Sequence, residues 1–196
     1  SSLKKAVDAT FNMISVDGDT STNDTVLLLS NGLAGNRTIT PGSESARAFQ
    51  EALNKVCLHL AKCIARDGEG ATRLIEVVVN GARTRSEARR AARTIASSPL
   101  VKTAVHGGDP NWGRIIAAAG RSGAELEPEK SEVFINNLCL FKSGMPLAFE
   151  KKTAAAMLAQ DEVLLRVELN LGKGQASAWG CDLSEEYVVI NSEYTT

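Results

Sequence analysis

The sequence has no long hydrophobic run and no excess of charge of either sign. Its longest apolar runs, such as residues 26–29 and 115–119, are far shorter than the roughly 20 residues that an α-helix needs to cross a bilayer. The 22 lysines and arginines balance 23 aspartates and glutamates, and the basic residues are spread along most of the chain. We therefore expect neither a membrane-spanning segment nor a nucleic-acid partner.

One group of basic residues is crowded, in and just before a predicted helix. A solvated helix face explains such a group more readily than a phosphate site does. Its members are Arg83, Arg85, Arg89, Arg90 and Arg93.

The four cysteines and two histidines are too scattered to indicate a metal site. There is no CxxC spacing and no nearby histidine pair, so the sequence predicts neither a metal nor a cofactor. Cys57 and Cys63 fall within an apolar helical pattern, where a free thiol usually packs as a small hydrophobic group. Each histidine stands alone, and a structural role is expected for both. A reducing, cytoplasmic location fits these cysteines best.

Common enzyme signatures are also missing from the sequence. It contains no Walker loop, no GxGxxG after a strand, no HExxH and no GxSxG, which argues against the usual nucleotide-binding, metalloprotease and hydrolase motifs. No signal or transit peptide appears within the sequence, and its first residue is serine rather than methionine, so we expect a processed or truncated product.

Hydrophobic periodicity predicts a mixture of helices and strands. Helices are predicted at residues 3–14, 43–67, 86–96, 115–120 and 151–159. Strands are predicted at residues 25–30, 72–79, 100–105, 131–141, 162–169, 176–181 and 187–191. Because this order has no regular βαβ rhythm, we expect an α+β fold with sheets packed against helices.

The helix at residues 43–67 has the clearest pattern. Ser43 or Ser45 can cap its beginning, and Gly68 follows its end. A broad apolar stripe runs along it, and we expect that stripe to face the core. The stripe comprises Ala46, Phe49, Leu53, Val56, Leu60 and Ile64.

Three loops concentrate unusual residues. The first, "DGDTSTNDT" at residues 17–25, lacks the Gly and Glu of a calcium loop, having Thr22 and Leu28 at those positions. Short Asp, Asn, Ser and Thr side chains bond readily to nearby backbone, so a self-bonded turn explains this loop. We assign no catalytic role to its aspartates.

The other two loops are "DGEGATR" at residues 67–73 and "GGDPNWGR" at residues 107–114. Glu69 lies between two glycines, where its carboxylate could face a cleft and bind an ammonium group; an exposed loop glutamate is the alternative. Trp112 is expected to anchor the third loop in the core. Arg114 could bind a substrate carboxylate or pair with Asp109.

Four segments together resemble the β chain of glutamate N-acetyltransferase, also called ornithine acetyltransferase. They are "FNMISVDGDTSTNDTVLLLSNG", "DGEGATRLIEV", "SPLVKTAVHGGDPNWGRIIAAAGRSG" and "YVVINSEYTT", and the similarity covers nearly the whole chain. The resemblance implies a fold like that of the N-terminal-nucleophile enzymes. Residues 1–122 would form part of the catalytic core, and residues 123–196 a smaller C-terminal α/β domain whose tail returns to the active site.

The resemblance also implies a mechanism. Family members cleave their own precursor, and the new N-terminal threonine of the β chain takes acetyl from N-acetylornithine and passes it to glutamate. Whether acetyl-CoA also donates is left open. The free α-amine, with a pKa of about 8, can act as the base for its own hydroxyl. The expected partner is the α chain of the same precursor, in an (αβ)2 or larger assembly.

The family's β chain begins upstream of this sequence with a threonine segment. Ser1 is therefore not the expected nucleophile, and the Thr-Gly oxyanion hole belongs to the α chain. The substrate-binding positions that carry over are Glu69, for the amino group of ornithine, and Asn191 and Thr196. We accordingly expect residues 191–196 to fold back toward Glu69, with residues 20–24 supporting the nucleophile from beside the cleft.

Two other functions are compatible with the same residues. An aminopeptidase-like hydrolase with an N-terminal nucleophile would release the acyl group to water instead of an amine. A noncatalytic assembly subunit would form no acyl-enzyme at all.

Overall fold

A computed structural model describes residues 1–194 of the chain. Thr196, which the resemblance places in the substrate site, lies outside the described residues. The helices are α1 (Ser2–Ala9), α2 (Glu44–Arg66), α3 (Arg85–Ala96), α4 (Pro99–His106), α5 (Trp112–Gly120), α6 (Lys151–Leu158) and α7 (Glu185–Glu193), with a 3-10 turn at Phe11–Met13. The strands are β1 (Ile14–Ser15), β2 (Leu74–Ala82), β3 (Glu132–Ile135), β4 (Leu138–Lys142), β5 (Met145–Pro146), β6 (Glu162–Glu168) and β7 (Gly174–Cys181).

All seven strands join one mixed sheet in the order β1-β7-β2-β6-β3-β4-β5. Strand β2 lies near its centre, pairing antiparallel with β7 and parallel with β6. Its residues Ile75, Val77 and Val79 are completely buried, and because alternate strand residues point the same way, all three lie on one face of the sheet. The sheet takes strands from both sides of residue 122, and the division into two domains stays a prediction.

Helices cover both faces of this sheet. Lys62 of α2 forms an ion pair of 2.7 Å with Glu76, which lies opposite Trp179 in the register of β2 and β7. The next residue of β7, Gly180, points to the other face, where an added Cβ would lie 3.1 Å from the carbonyl oxygen of Ala96 in α3. Successive strand residues face opposite ways, so α2 and α3 lie on opposite sides of the sheet.

Most helices and strands match their sequence prediction, but residues 100–105 and 187–191 are helical. Helix α4 begins at Pro99, and proline suits a first helical position because its missing N–H would have no partner there. Helix α7 begins with Glu185 and Glu186, whose charges interact favourably with the positive end of a helix. The two strand predictions were wrong because both apolar runs are short enough to fit either structure.

The strand predicted at residues 25–30 is also absent. The segment has no regular structure, and Leu27 and Leu29 are 75% and 87% exposed. A strand needs a neighbouring strand to take up its backbone hydrogen bonds, and the described part of the chain places none beside this segment.

Helix α2 matches its predicted bounds, and Ser43 caps it by accepting a hydrogen bond of 3.1 Å from the N–H of Ala46. The face that it buries differs from the prediction. Cys57, Ala61 and Ala65 are buried, whereas most of the predicted apolar stripe is exposed, including Phe49, Val56, Leu60 and Ile64. In the described residues, no helix is both long and apolar enough to cross a membrane.

Candidate functional site

The loop that carries Glu69 follows α2 and leads into β2. Its glycines allow a close approach to other elements: a Cβ on Gly68 would lie 2.7 Å from the sulfur of Cys181, and one on Gly70 would lie 2.7 Å from the backbone nitrogen of Tyr187. Gly70 also has a positive φ of 65°, which favours glycine. The loop is therefore packed tightly against the end of β7 and the start of α7, and Glu69 itself is exposed.

Helix α7 brings Asn191 to this carboxylate. The Nδ2 of Asn191 donates a hydrogen bond of 2.5 Å to Oε2 of Glu69 and one of 2.9 Å to the carbonyl oxygen of Tyr187. Glu69 and Asn191, which are 122 residues apart in sequence, are thus in direct contact. Both side chains remain open to solvent, so a ligand can reach them.

The polar loop at residues 17–25 lies beside the same helix. It bonds to itself, as the sequence predicts: the N–H of Asp19 donates to Oδ1 of Asp17 at 3.0 Å, and the N–H of Asn23 donates to Oγ of Ser21 at 3.1 Å. The other carboxylate oxygen of Asp17 accepts a hydrogen bond of 3.0 Å from the hydroxyl of Tyr187. The first loop is therefore tied to α7 within one helical turn of Asn191.

The electrostatic potential around Tyr187 is negative. The pKa of Tyr187 is raised first by burial, then by its hydrogen bond to Asp17, and further by the charges of Asp17, Glu69 and Asp19. Such a field favours a cation over an anion. Sequence reasoning missed Tyr187, although its spacing of four residues from Asn191 places both on one face of a helix.

The third loop positions α4 and α5. Trp112 stacks on Phe141 with ring centroids 4.8 Å apart, which confirms the predicted anchor. Arg114 does not pair with Asp109: its Nη1 donates to the carbonyl oxygen of Leu100 at 3.0 Å. Asp109 instead accepts a hydrogen bond of 3.0 Å from the side chain of Asn111. These contacts within the chain explain the unusual residues of the third loop as structural.

The crowded arginines lie along α3. Arg83 pairs with Glu125, and Arg89 donates a hydrogen bond of 2.6 Å to the carbonyl oxygen of Asp8. Burial, followed by the charge of Arg85, lowers the pKa of Arg89. Arg90 and Arg93 are exposed, as predicted, and with Arg89 they line an open groove of about 350 Å³.

Comparisons with known proteins identify the family. The model of the ArgJ family matches residues 1–196. The chain is 55% identical over 194 residues to the arginine biosynthesis bifunctional protein ArgJ of Dehalococcoides mccartyi, covering 99% of this chain and 48% of that protein. It is 52% identical over 202 residues to the glutamate N-acetyltransferase of Methanocaldococcus jannaschii, covering 99% of this chain and 49% of that protein. The chain thus spans about half the length of the curated relatives it matches.

A solved structure matches over most of its own length. The crystal structure of the arginine biosynthesis bifunctional protein ArgJ from Bacillus halodurans superposes with a TM-score of 0.96 at 48% identity, covering 98% of this chain and 91% of that chain. The predicted α+β fold, with helices packed on a sheet, is confirmed. The protein described here belongs to the ArgJ family.

Proposed function

We propose that this chain is the greater part of the β chain of a glutamate N-acetyltransferase in arginine biosynthesis. The enzyme moves acetyl from N-acetylornithine to glutamate through an acetyl-enzyme. The names of the relatives support this reaction. The observation that carries it is the contact between Glu69 and Asn191 in a region of negative field, because that pair offers a carboxylate to the ammonium group of ornithine.

Each side chain has a separate role in this proposal. The carboxylate of Glu69 binds the ammonium group by a charge-assisted hydrogen bond, which is roughly twice as strong as a neutral one. The amide of Asn191 holds that carboxylate in place, and its oxygen can accept a hydrogen bond from substrate. The charges of Asp17 and Asp19 add to that of Glu69 around Tyr187. Thr196 completes the substrate site.

The nucleophile and the oxyanion hole come from other polypeptide. An N-terminal threonine upstream of Ser1 attacks the acetyl carbonyl, with its own α-amine as base, and a Thr-Gly pair of the α chain binds the developing oxyanion. The different coverage of the relatives supports a divided precursor: the crystal chain is matched over 91% of its length, the curated proteins over 48% and 49%.

The surface of this chain supports an α-chain partner. Leu27, Leu29 and the apolar stripe of α2 all belong to the N-terminal half of the sequence, and their apolar side chains are exposed. Exposed apolar patches of this kind mark protein interfaces. We propose that they pack against the α chain, in an assembly that contains two or more αβ units.

An acetyl-transfer experiment tests the function. The complete precursor that contains this sequence is allowed to cleave, incubated with N-acetylornithine, and its β chain weighed by mass spectrometry before and after glutamate is added. We expect a gain of one acetyl group that disappears as N-acetylglutamate forms. Release of acetate instead would show a hydrolase, and an unmodified β chain would show a noncatalytic subunit; either result contradicts the proposal.

Matched variants test the role of Glu69 in the same assay. Replacing Glu69 with glutamine removes the charge but keeps the shape, so acetylation by N-acetylornithine should slow by at least about tenfold, the loss expected for a charge-assisted hydrogen bond. Glu193→Gln removes an exposed charge from the end of α7 and should leave the rate unchanged. Acetyl-CoA as a second donor is examined by the same mass gain.

A further inference from the structure

A buried carboxylate lies directly behind the Glu69 loop. Asp182 follows β7, and its side chain is 0% exposed. Its Oδ1 accepts hydrogen bonds from the backbone N–H groups of Thr72 at 2.7 Å and Arg73 at 2.8 Å. Its Oδ2 accepts from the hydroxyl of Thr72 at 2.5 Å and lies 2.8 Å from Nδ1 of His106. One carboxylate thus joins the loop, the end of α4 and the segment that leads to α7.

Asp182 is ionised in this environment. Burial alone would raise the pKa of its carboxyl, but the hydrogen bonds from Thr72, His106 and the two backbone amides outweigh burial and lower the pKa. An ionised carboxylate has no proton to donate, so Nδ1 of His106 carries the hydrogen. The guanidinium of Arg73 lies 3.4 Å away and compensates the buried charge.

The same segment holds the start of α7 against the loop. Ser184, two residues after Asp182, donates a hydrogen bond of 2.6 Å to the carbonyl oxygen of Gly70. The loop is therefore fixed at Gly70 and Thr72, on the C-terminal side of Glu69, while α7 is fixed at its first turn. Asn191 lies two helical turns farther along α7, where it meets Glu69. The relative position of Glu69 and Asn191 depends on these anchors.

We propose that Asp182 is a positioning residue for substrate binding. With Thr72, His106 and Ser184 it forms a clamp that sets the position of Glu69 relative to Asn191. This inference rests on the proposed function of those two residues. Loosening the clamp leaves the nucleophile in place but weakens the hold on the ammonium group, so the loss falls on KM and not on kcat.

A matched pair at Thr72 tests the clamp in the complete enzyme. Valine has the shape of threonine without the hydroxyl, and serine keeps the hydroxyl. Thr72→Val should raise KM for N-acetylornithine by roughly ten- to a hundredfold, the range for a hydrogen bond to a charged group, with kcat within about twofold. Thr72→Ser should stay near wild type. Equal behaviour of the two variants, or a loss confined to kcat, would overturn the inference.

Hydrogen exchange tests the clamp without relying on activity. In the complete enzyme, Asp182→Asn should speed exchange at the amides of Thr72 and Arg73 and along α7 together, by at least about tenfold, while β2 keeps its protection. Glu193→Gln is the control on α7. Faster exchange in both the loop and α7 supports the clamp even if the enzyme fails to transfer acetyl. Unchanged exchange in Asp182→Asn overturns the clamp even if acetyl transfer is normal.

Discussion

Helices α2 and α3 both carry apolar stripes, yet they differ in what covers those stripes. Five residues of α3 are buried against the sheet: Ala88, Ala91, Ala92, Ile95 and Ala96. Helix α2 buries only Cys57, Ala61 and Ala65 and leaves larger side chains such as Leu60 and Ile64 about half exposed. Periodicity in sequence shows that a helix has an apolar side. It does not show whether the partner of that side belongs to the same chain.

The energetic cost makes the contrast informative. A fully buried leucine or isoleucine contributes about 1.5–3 kcal/mol to stability relative to an exposed one. A helix whose apolar stripe stays exposed therefore lacks several such contributions. Alanine is the better residue where a helix must lie close to a sheet, as α3 does. Large side chains on α2 suit a partner surface that lies farther from the helix, which is where the proposed α chain would pack.

The largest expected effect comes from comparing a core leucine with a leucine of the α2 stripe. Leu165 is 1% exposed, so Leu165→Ala should lower the free energy of unfolding of this chain by about 2–5 kcal/mol. Leu60 is 48% exposed, and Leu60→Ala should change it by less than about 0.5 kcal/mol. Urea denaturation measures both. A comparable loss from Leu60→Ala would mean that the stripe is already part of the core.

Substitutions on the α2 stripe should weaken association with the α chain, although they should hardly change the stability of the isolated chain. Placing aspartate at both Val56 and Leu60 puts charges on the proposed interface, so binding of the α chain should weaken by at least about a hundredfold. The folding of the isolated chain should be unaffected, since both positions are exposed. Co-purification and sedimentation velocity measure the association. Lys55→Asp is the control, and undiminished binding by the double variant would place the α chain elsewhere.

The sequence predicted the packed region better than the site. Strand β2 and helix α3 were predictable because each has a clear local period. Helix α7 was not, because residues 187–191 are apolar in a pattern that fits a strand equally well, and only Glu185 and Glu186 mark a helix start. Asp182 and Tyr187 were missed because their partners lie 76 to 170 residues away in sequence, where no local spacing can indicate them.

The clamp should make this chain sensitive to acid in a defined direction. The folded state lowers the pKa of Asp182, so the unfolded state, with a pKa near 3.9, binds more protons as the pH falls. The stabilisation from Asp182 is therefore complete above about pH 5 and is lost progressively at lower pH. Arg73 and His106 face the carboxylate.

Unfolding measured against pH checks the direction. The difference in free energy of unfolding between wild type and Asp182→Asn should be greatest above pH 5 and should shrink as the pH falls toward 3. His106→Gln, compared at the same pH values, separates the contribution of the histidine. A difference that grew on acidification would mean that the folded state prefers the protonated carboxyl.

The smallest effects should come from the helix caps, and they sharpen the contrast between α2 and α3. Ser43 and Thr84 cap the two helices in the same way, accepting hydrogen bonds of 3.1 Å from the N–H of Ala46 and 3.2 Å from that of Glu87. Removing a cap costs about 1 kcal/mol. Because α3 is packed on the sheet along its length, Thr84→Ala should lower the global free energy of unfolding by that amount.

Ser43→Ala should have a local effect instead. The first turn of α2 is attached by few buried contacts, so it can fray without unfolding the sheet. Hydrogen exchange at Ala46 and Arg47 should accelerate by about fivefold, with the urea midpoint unchanged. Binding of the α chain to the stripe should restore the protection at those amides. If Ser43→Ala instead lowered the urea midpoint as much as Thr84→Ala does, then α2 would be as integral to the isolated fold as α3, and its exposed stripe would lose its value as a marker of the interface.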